Sequence, residues 1–346
     1  MYKSLKIAFL TILKYSGIFQ FCRWRNMGRP RIICYHGFNI LDESSFIPGT
    51  FINQNTFVNR INLLKSMGAH FIKLDEVFNE QLPELPVILT FDDGFVSTLT
   101  EGLPILEQFD LPATLYVTTY YQQKQNPIFR LHLQYLLWKS SEANVNWQKF
   151  SMNLPFSGEE NLKGSQKVWK VIEHFETKES EETREKFLRE FEKQIGVALN
   201  SEQRKKSFTI ASDNELAVAQ SSNFDLQLHT HRHRLPTEKD ECQKEILENR
   251  EILKNFTHSS LEHFCYPSGI YDTRQFPWLE EVGVKTATTL LPGIVKKSSH
   301  PLELPRVLDS EAISNIQFEA EICGVGDLLR KIKGLFIKQA QEHSLT

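Results

Sequence analysis

Val87-Ile88-Leu89-Thr90-Phe91-Asp92-Asp93-Gly94 is the strongest structural signal in this sequence, because an apolar and β-branched run leads directly into two acids and a glycine. Such a run is typical of a strand that is buried on both faces, as in parallel sheets. Gly94 can take a positive φ, so the chain can turn there and present both carboxylates at the end of the strand. Asp-Asp-Gly is also an ordinary loop sequence, and a plain turn is the alternative.

Similar short runs recur along the chain, separated by longer helical or polar stretches. They are residues 31–36, 70–74, 113–118, 225–229, 262–266 and 284–289. Between them, a predicted helix over 56–67 stops at Gly68, and another over 99–109 stops before Pro112. This alternation of strands and helices predicts an α/β protein with a parallel sheet or barrel.

Composition limits the class of protein. The chain has 346 residues, of which 40% are hydrophobic and 24% charged, and these values exclude a disordered or low-complexity chain. The five cysteines are widely spread and form no CxxC pair, which speaks against a disulfide framework or a structural zinc module. They favour the reducing cytosol, so we expect a cytoplasmic protein.

Three parts are predicted from the pattern of charge and hydrophobicity. Residues 1–30 form a basic amphipathic N-terminal segment, and residues 31–310 form the barrel domain. A charged helical insertion interrupts that domain at about residues 122–206. Residues 311–346 form a C-terminal amphipathic helical tail.

The N-terminal segment is basic although the whole chain has a net charge of -3, because no acid precedes residue 42. No apolar run approaches the roughly 18 residues that a membrane span needs. If residues 3–25 form one helix, one sector carries Lys3, Lys6, Lys14 and Arg25, and the other side carries Leu5, Phe9, Ile12 and Phe19. The segment is then either a helix packed on the domain, or a peripheral contact with an anionic membrane at its inner face. A nucleic-acid partner is not favoured, because the rest of the chain is acidic and carries no binding motif.

Chemically distinctive residues also follow other predicted strands. Three histidines, His229, His231 and His233, come after the strand at 225–228, and neutral imidazole is a good ligand for Zn²⁺ and similar ions. His36 ends the first predicted strand, and Pro267-Ser268-Gly269 follows another. The alternatives are a polar turn for the three histidines, a core histidine for His36 and a simple turn for the Pro-Ser-Gly segment. In a (β/α) barrel the reactive residues come from the loops after the strands, so we expect these groups at one end.

Two of these segments resemble motifs of the NodB-like polysaccharide deacetylases, carbohydrate esterase family four. Residues 90–94 resemble the first motif, and His229-Thr230-x-x-His233 resembles the second. The resemblance extends over about residues 31–308, without most of the insertion. It implies a distorted (β/α) barrel that removes N-acetyl groups from a glycan with one divalent metal ion, Zn²⁺ or else Co²⁺, Ni²⁺ or Fe²⁺.

The same resemblance assigns roles to individual residues. Asp93, His229 and His233 would bind the metal, and Asp92 would be the general base. Thr230 would orient the two histidines without binding the metal itself. The segment Tyr266-Pro267-Ser268-Gly269 would contact the substrate, and a backbone N–H of this loop would face the oxyanion.

The sequence also departs from the family pattern. Cys265 stands where the third motif usually has Arg, and Ser268 stands where an aromatic residue is usual. Arg306 could supply the missing charge, as in the exopolysaccharide-biosynthesis branch that this sequence resembles. The last motif, an apolar strand ending in Leu-x-His, is not visible near the C-terminus, but Ile32 to His36 looks similar. This would fit a circularly permuted barrel in which His36 is the general acid.

Two other functions remain open at this point. One is a metal-binding, catalytically weak module that holds a glycan or assembles a biosynthetic complex, which Cys265 favours. The other is a hydrolase of a small non-sugar C–N bond. The presence of both a base candidate, Asp92, and an acid candidate, His36, argues against the first, because a pure binding site needs neither.

Overall fold

A computed structural model of the chain describes residues 2–142, 164–196, 203, 206–220 and 224–333. The strands in these ranges are β1 Arg31–Tyr35, β2 Gly37–Phe38, β3 Phe51–Ile52, β4 His70–Phe71, β5 Pro86–Phe91, β6 Ala113–Val117, β7 Phe224–Leu228, β8 His263–Cys265, β9 Thr286–Pro292 and β10 Leu304–Leu308.

Seven of these strands form a closed parallel barrel. Their order is β1-β10-β9-β8-β7-β6-β5, and pairing of β1 with β5 closes the ring. β4 adds to the outside of β5, and β2 pairs with β3 separately. The predicted barrel is therefore confirmed. Because all seven strands run in the same direction, their C-terminal ends meet at one end of the barrel.

Helices surround the barrel. They are Tyr2–Tyr15, Ile18–Arg25, Glu43–Phe46, Gln54–Ser66, Leu103–Phe109, Thr119–Lys124, Phe129–Glu142, Gly164–Lys178, Glu181–Ile195, Asp213–Gln220, Lys239–Leu253, Phe276–Glu281 and Asn315–Cys323, with residues 325–333 also helical. Single helical turns lie at Leu74–Glu76, Pro267–Gly269 and Thr273–Gln275, and a π-helical turn lies at Thr98–Gly102.

Alternate residues of the strands pack into two different cores. Val87 and Leu89 of β5 point outward into the large core beneath the helices. Ile88 packs with Ile32 and Tyr116 in a smaller core contributed by the barrel strands. This period of two follows from the pleat of a strand, and it decides which side chains enter the barrel interior.

The predicted helical insertion contains the helices Phe129–Glu142, Gly164–Lys178 and Glu181–Ile195. Their apolar side chains, such as Leu136 and Phe175, belong to the large core of the barrel, so these helices share one core with it. Residues 143–163, 197–202 and 204–205 of the predicted insertion lie outside the described residues.

Residues 3–25 do not form one continuous helix. Two helices, Tyr2–Tyr15 and Ile18–Arg25, meet at a bend, because Gly17 has a φ of 85°. The predicted sector of four cations therefore does not form across the segment. Within the described part of the chain, no single helix is long and apolar enough to cross a membrane. The pair of helices Ser4–Tyr15 and Ile18–Arg25 is bent by 73° and meets that requirement by length and composition only.

The C-terminal tail predicted over 311–346 is described as far as residue 333. It contains the helix Asn315–Cys323 and the helical residues 325–333. Ala320 and Val325 from these two helices pack against Leu10, Phe19 and Cys22 of the N-terminal helices, so the two ends of the described chain lie together. Residues 334–346 of the predicted tail lie outside the described residues.

Candidate active site

The inward-facing positions of the barrel strands end in a polar cluster at their C-terminal ends. Ile88, Thr90 and Asp92 follow one another at a spacing of two along β5 and just beyond it. The same spacing leads from Ile32 through Cys34 to His36, and from Leu304 to Arg306. The barrel interior is a common space, so residues far apart in the sequence meet there.

Asp93, His229 and His233 converge on one point. The Nε2 atom of His229 lies 3.1 Å from Asp93 Oδ1, and the Nε2 atom of His233 lies 3.0 Å from the same oxygen. Burial raises the pKa of the Asp93 carboxyl, but the His233 and His229 imidazoles outweigh burial and hold that pKa well below its usual range. The three side chains expected as metal ligands are thus brought together.

The backbone turns sharply at this group. Asp93, Thr230 and His233 all have positive φ, at 72°, 63° and 54°. Gly94 also has a positive φ, and a Cβ atom there would lie 2.9 Å from Val117 Cγ1. Non-glycine residues hold such angles only where the surrounding structure enforces them, and they concentrate at functional sites.

His229 is held by hydrogen bonds on its far side. Its Nδ1 lies 2.8 Å from the carbonyl oxygen of Cys265, so Nδ1 carries the proton and Nε2 faces Asp93. Its backbone N–H donates to Asn249 Oδ1 at 2.9 Å, and the amide of Asn249 donates to Val117 O at 2.9 Å. Asn249 was not predicted from the sequence. The signal that could have found it is an Asn on the buried stripe of Lys239–Leu253, where apolar residues are expected.

Thr230 acts on the turn and not on the histidine rings. Its hydroxyl accepts a hydrogen bond from the backbone N–H of Arg234 at 3.1 Å, which closes the turn that carries His233. The His231 ring bonds instead to Thr119 Oγ1 at 2.9 Å. His231 therefore does not belong to the converging group, as the resemblance implied.

Asp92 is paired with a buried arginine from another strand. The Arg306 Nη1 and Nη2 atoms each lie 2.7 Å from one oxygen of Asp92, and both side chains are buried. Cys265 Sγ lies 3.3 Å from Arg306 Nη2, so the smaller side chain leaves room for this guanidinium. Burial raises the pKa of Asp92, but Arg306 more than offsets burial and lowers that pKa to about 2.

His36 faces the same space from the end of β1. Its Nε2 atom lies 3.9 Å from Asp92 Oδ2, which is beyond a hydrogen bond, and its side chain is half-buried. The ring is therefore free to meet a ligand in the cavity beside Asp92.

The loop at Pro267-Ser268-Gly269 offers fewer donors than its length suggests. Proline has no N–H, and the Gly269 N–H is donated to Tyr266 O at 2.9 Å. Of the three, only Ser268 has a backbone N–H without an acceptor among the described residues. Its φ is 56°. The Tyr266 hydroxyl donates to Leu302 O at 2.9 Å, so this side chain contributes its ring and not its hydroxyl to the site.

These groups line a cavity of about 260 Å³. Its floor is formed by His36, Asp92, Asp93, His229, His233 and Ser268, and part of its wall comes from the insertion and the residues before it, Tyr121, Ile128, Arg130 and Leu131. Arg130 is held by two hydrogen bonds of 2.9 Å to Glu176. No sequence motif indicated that the insertion reaches the site.

The donor set fits a divalent metal ion. Asp93, His229 and His233 each offer one ligand atom, and these atoms lie within 4.8 Å of one another. Two imidazole nitrogens and one carboxylate oxygen suit a borderline ion, and three protein ligands leave a coordination position open. Cys34, His36 and Asp92 form a second such group. The positive charge of Arg306 beside Asp92 would repel a cation at this second group.

Comparisons with known proteins identify the family and the fold. The sequence profile described as polysaccharide deacetylase matches residues 79–287. A search of curated proteins finds no match.

Solved structures share the fold at low sequence identity. The Streptococcus pyogenes deacetylase PplD, in complex with acetate, is 17% identical with a TM-score of 0.50, over 83% of this chain and 95% of that one. IcaB from Ammonifex degensii is 15% identical with a TM-score of 0.52, over 86% of this chain and 98% of that one. BC0361, a polysaccharide deacetylase from Bacillus cereus, is 16% identical with a TM-score of 0.53, over 86% of this chain and 69% of that one. Because the family profile covers more than half of the chain, this protein belongs to the NodB-like polysaccharide deacetylases and is a deacetylase hydrolase.

Proposed function

We propose that this protein is a metal-dependent N-deacetylase that removes acetyl groups from the amino sugars of a polysaccharide or of a glycan intermediate in exopolysaccharide biosynthesis. The observation that carries the proposal is the convergence of Asp93, His229 and His233 beside the buried Asp92 in one cavity. An ion held by these three residues would supply a Lewis acid that polarises the acetamide carbonyl and acidifies water.

The residues of the chain then have separate tasks. The Asp92 carboxylate, fixed by Arg306, accepts a proton from the attacking water. The Ser268 N–H donates to the oxygen that becomes negative as water adds to the carbonyl carbon. His36 gives a proton to the sugar nitrogen as the C–N bond breaks. The products are acetate and a free amine, so one water is consumed for each acetyl group released.

The size of the cavity favours a small reacting group. Sites for drug-sized ligands are roughly 300–1,000 Å³, and about 260 Å³ is slightly below that range. The cavity therefore suits one N-acetylated sugar residue, with the rest of the glycan outside. The Arg306–Asp92 pair favours catalysis over the weak-binding alternative, because it restores the positive charge that Cys265 does not supply.

The test is release of acetate from N-acetylated oligosaccharides by the purified chain. We expect release by the wild type, loss after treatment with a chelator, and recovery after addition of Zn²⁺ or Co²⁺. Asp93→Ala should be inactive, and His231→Ala is the matched control that should remain active. Undiminished release from metal-free protein would contradict the metal requirement. Hydrolysis of a cyclic imide without any acetate release from sugars would favour the small-substrate alternative.

A further inference from the structure

The first helix, Tyr2–Tyr15, presents an apolar face to the outside. Leu5 is 63% exposed, Phe9 48% and Ile12 66%, and their spacing of four and three residues places them on one side. Leu10, on the other side, is buried against the domain. A helix packed on a globular domain normally directs polar residues outward, so this outward face requires an explanation.

The second helix, Ile18–Arg25, also exposes large apolar side chains. Phe21 is 52% exposed and Trp24 65%, and their rings lie 6.1 Å apart. Single exposed apolar residues are normal, but several large ones on two consecutive helices whose inner residues share one buried cluster mark an interaction site. We call Leu5, Phe9, Ile12, Phe21 and Trp24 the N-terminal patch.

The charged residues on the two helices of the N-terminal patch are all basic. Lys6, Arg23 and Arg25 lie on the same two helices, and the first 41 residues contain no acid. On these helices Lys14 has an acidic partner, Glu319, at 2.6 Å. Docking of two copies through this patch would bring like charges together, whereas an anionic surface complements them.

We propose that the N-terminal patch docks the protein on an anionic lipid surface, with both helices lying along the surface. Apolar side chains would enter the acyl boundary while the cations meet the headgroups, and an exposed Trp suits that boundary. The helices lie on the membrane and do not cross it, because their inner residues Leu10, Phe19 and Cys22 are already packed against the C-terminal helices. Crossing would expose that core.

The N-terminal patch lies toward the opposite end of the barrel from the active site. Asn26, just after the second helix, accepts a hydrogen bond from Arg31 Nη1 at 3.0 Å, and Arg31 is the first residue of β1. Gly28 donates to Glu84, just before β5. These contacts are at the N-terminal ends of the strands, while His36 and Asp93 follow the C-terminal ends. Docking through the patch would leave the cavity open to water.

Vesicle sedimentation of the full chain tests the proposal. Vesicles of phosphatidylcholine mixed with phosphatidylglycerol are compared with vesicles of phosphatidylcholine alone. The wild type should sediment with the anionic vesicles, less so at high salt, and poorly with neutral ones. The double variant Phe9→Ser/Ile12→Ser should partition at least about tenfold more weakly. The control Trp169→Ser/Leu247→Ser, which changes exposed apolar residues elsewhere, should bind like the wild type.

Two further measurements separate docking from folding and catalysis. Because Phe9 and Ile12 are exposed, thermal unfolding of their double variant and its acetate release from soluble oligosaccharides should match the wild type. Equal binding by both double variants, or wild-type protein that stays in the supernatant with both lipids, would overturn the proposal. A wild-type dimer that the Phe9→Ser/Ile12→Ser variant converts to monomer, without vesicle binding, would also overturn it in favour of a second copy.

Discussion

At the scale of single residues, the Asp92–Arg306 pair shows how the barrel replaces a missing charge. Cys265 occupies the position where the family usually has Arg, and the guanidinium that reaches Asp92 comes from β10 instead. Both positions face the barrel interior, so either strand can deliver a cation to the same carboxylate. A short side chain at one position makes room for a long one at the other.

Arg306→Met should strongly destabilise the fold, because it leaves the buried Asp92 carboxylate without its partner. We expect the free energy of unfolding to fall by about 3–5 kcal/mol, as measured by denaturant unfolding. Arg330→Met is the control, because Arg330 pairs with Glu321 at the surface and should contribute only about 0–1 kcal/mol. Equal stability of the two variants would show that the Asp92–Arg306 pair is not a buried charge pair in solution.

Asp92→Asn should separate metal binding from catalysis. The variant keeps Asp93, His229 and His233, so its metal content should match the wild type. Turnover should fall by about 10²–10⁴-fold, because the amide cannot accept the proton from water. The comparison is made at a temperature where thermal unfolding shows both proteins to be folded. Unchanged acetate release would remove Asp92 from the mechanism.

His36→Gln should retain metal and fold but lose turnover, by about 10²-fold or more if His36 protonates the leaving amine. The loss should be largest with substrates whose amine leaves poorly, and the alkaline limb of the pH profile should change. His70→Gln, at an exposed position, is the control. A lower melting temperature with turnover intact would instead identify His36 as a structural histidine.

At the scale of elements, the helix Lys239–Leu253 positions the loop after β7. Asn249 bonds to the His229 backbone N–H and to the Val117 carbonyl, so it ties this helix to the ends of β7 and β6. Thr119 Oγ1 accepts its third bond, at 3.1 Å. The helix thus fixes the backbone position of His229, the first of the two candidate ligand histidines.

Asn249→Ala should weaken metal affinity by about 10–100-fold, as removal of a group that orients a ligand commonly does. Two buried backbone groups also lose their partner, so the melting temperature should fall. Asn255→Ala, just beyond the end of the same helix and exposed, is the matched control. Metal titration of the two variants checks the difference, and indistinguishable affinities would leave Asn249 with a purely structural role.

The elements also show what local sequence can predict. Residues 87–94 and 229–233 carry their signal within a few positions, so strand, turn and candidate ligands could be read together. Asn249 could be noticed only as a polar residue on a buried helix stripe; its bond to His229, 20 residues away in the sequence, could not be predicted. The break between the two N-terminal helices could not be predicted, because the periodicity of side chains does not report the positive φ of Gly17.

At the scale of the whole molecule, closure of the barrel brings the two ends of the domain into the site. The family profile covers residues 79–287, whereas His36 follows β1 and Arg306 lies on β10, both outside that range. β1 pairs with β5 on one side and β10 on the other, so the first strand in the chain lies next to the strand of Asp92.

The parallel fold could be predicted from the alternation of elements. The cavity wall from the insertion could not, because it depends on how helices pack over the barrel. The cytoplasmic location remains a prediction.

The metal content of purified variants, measured by elemental analysis, tests the assignment of the metal site most directly. We predict one divalent ion per chain in the wild type and in His231→Ala, because the His231 ring bonds to Thr119 and not to the converging group. Asp93→Ala, His229→Ala and His233→Ala should each lose the ion while remaining folded. If His231→Ala loses the metal while His229→Ala keeps it, the assignment of the metal site is wrong.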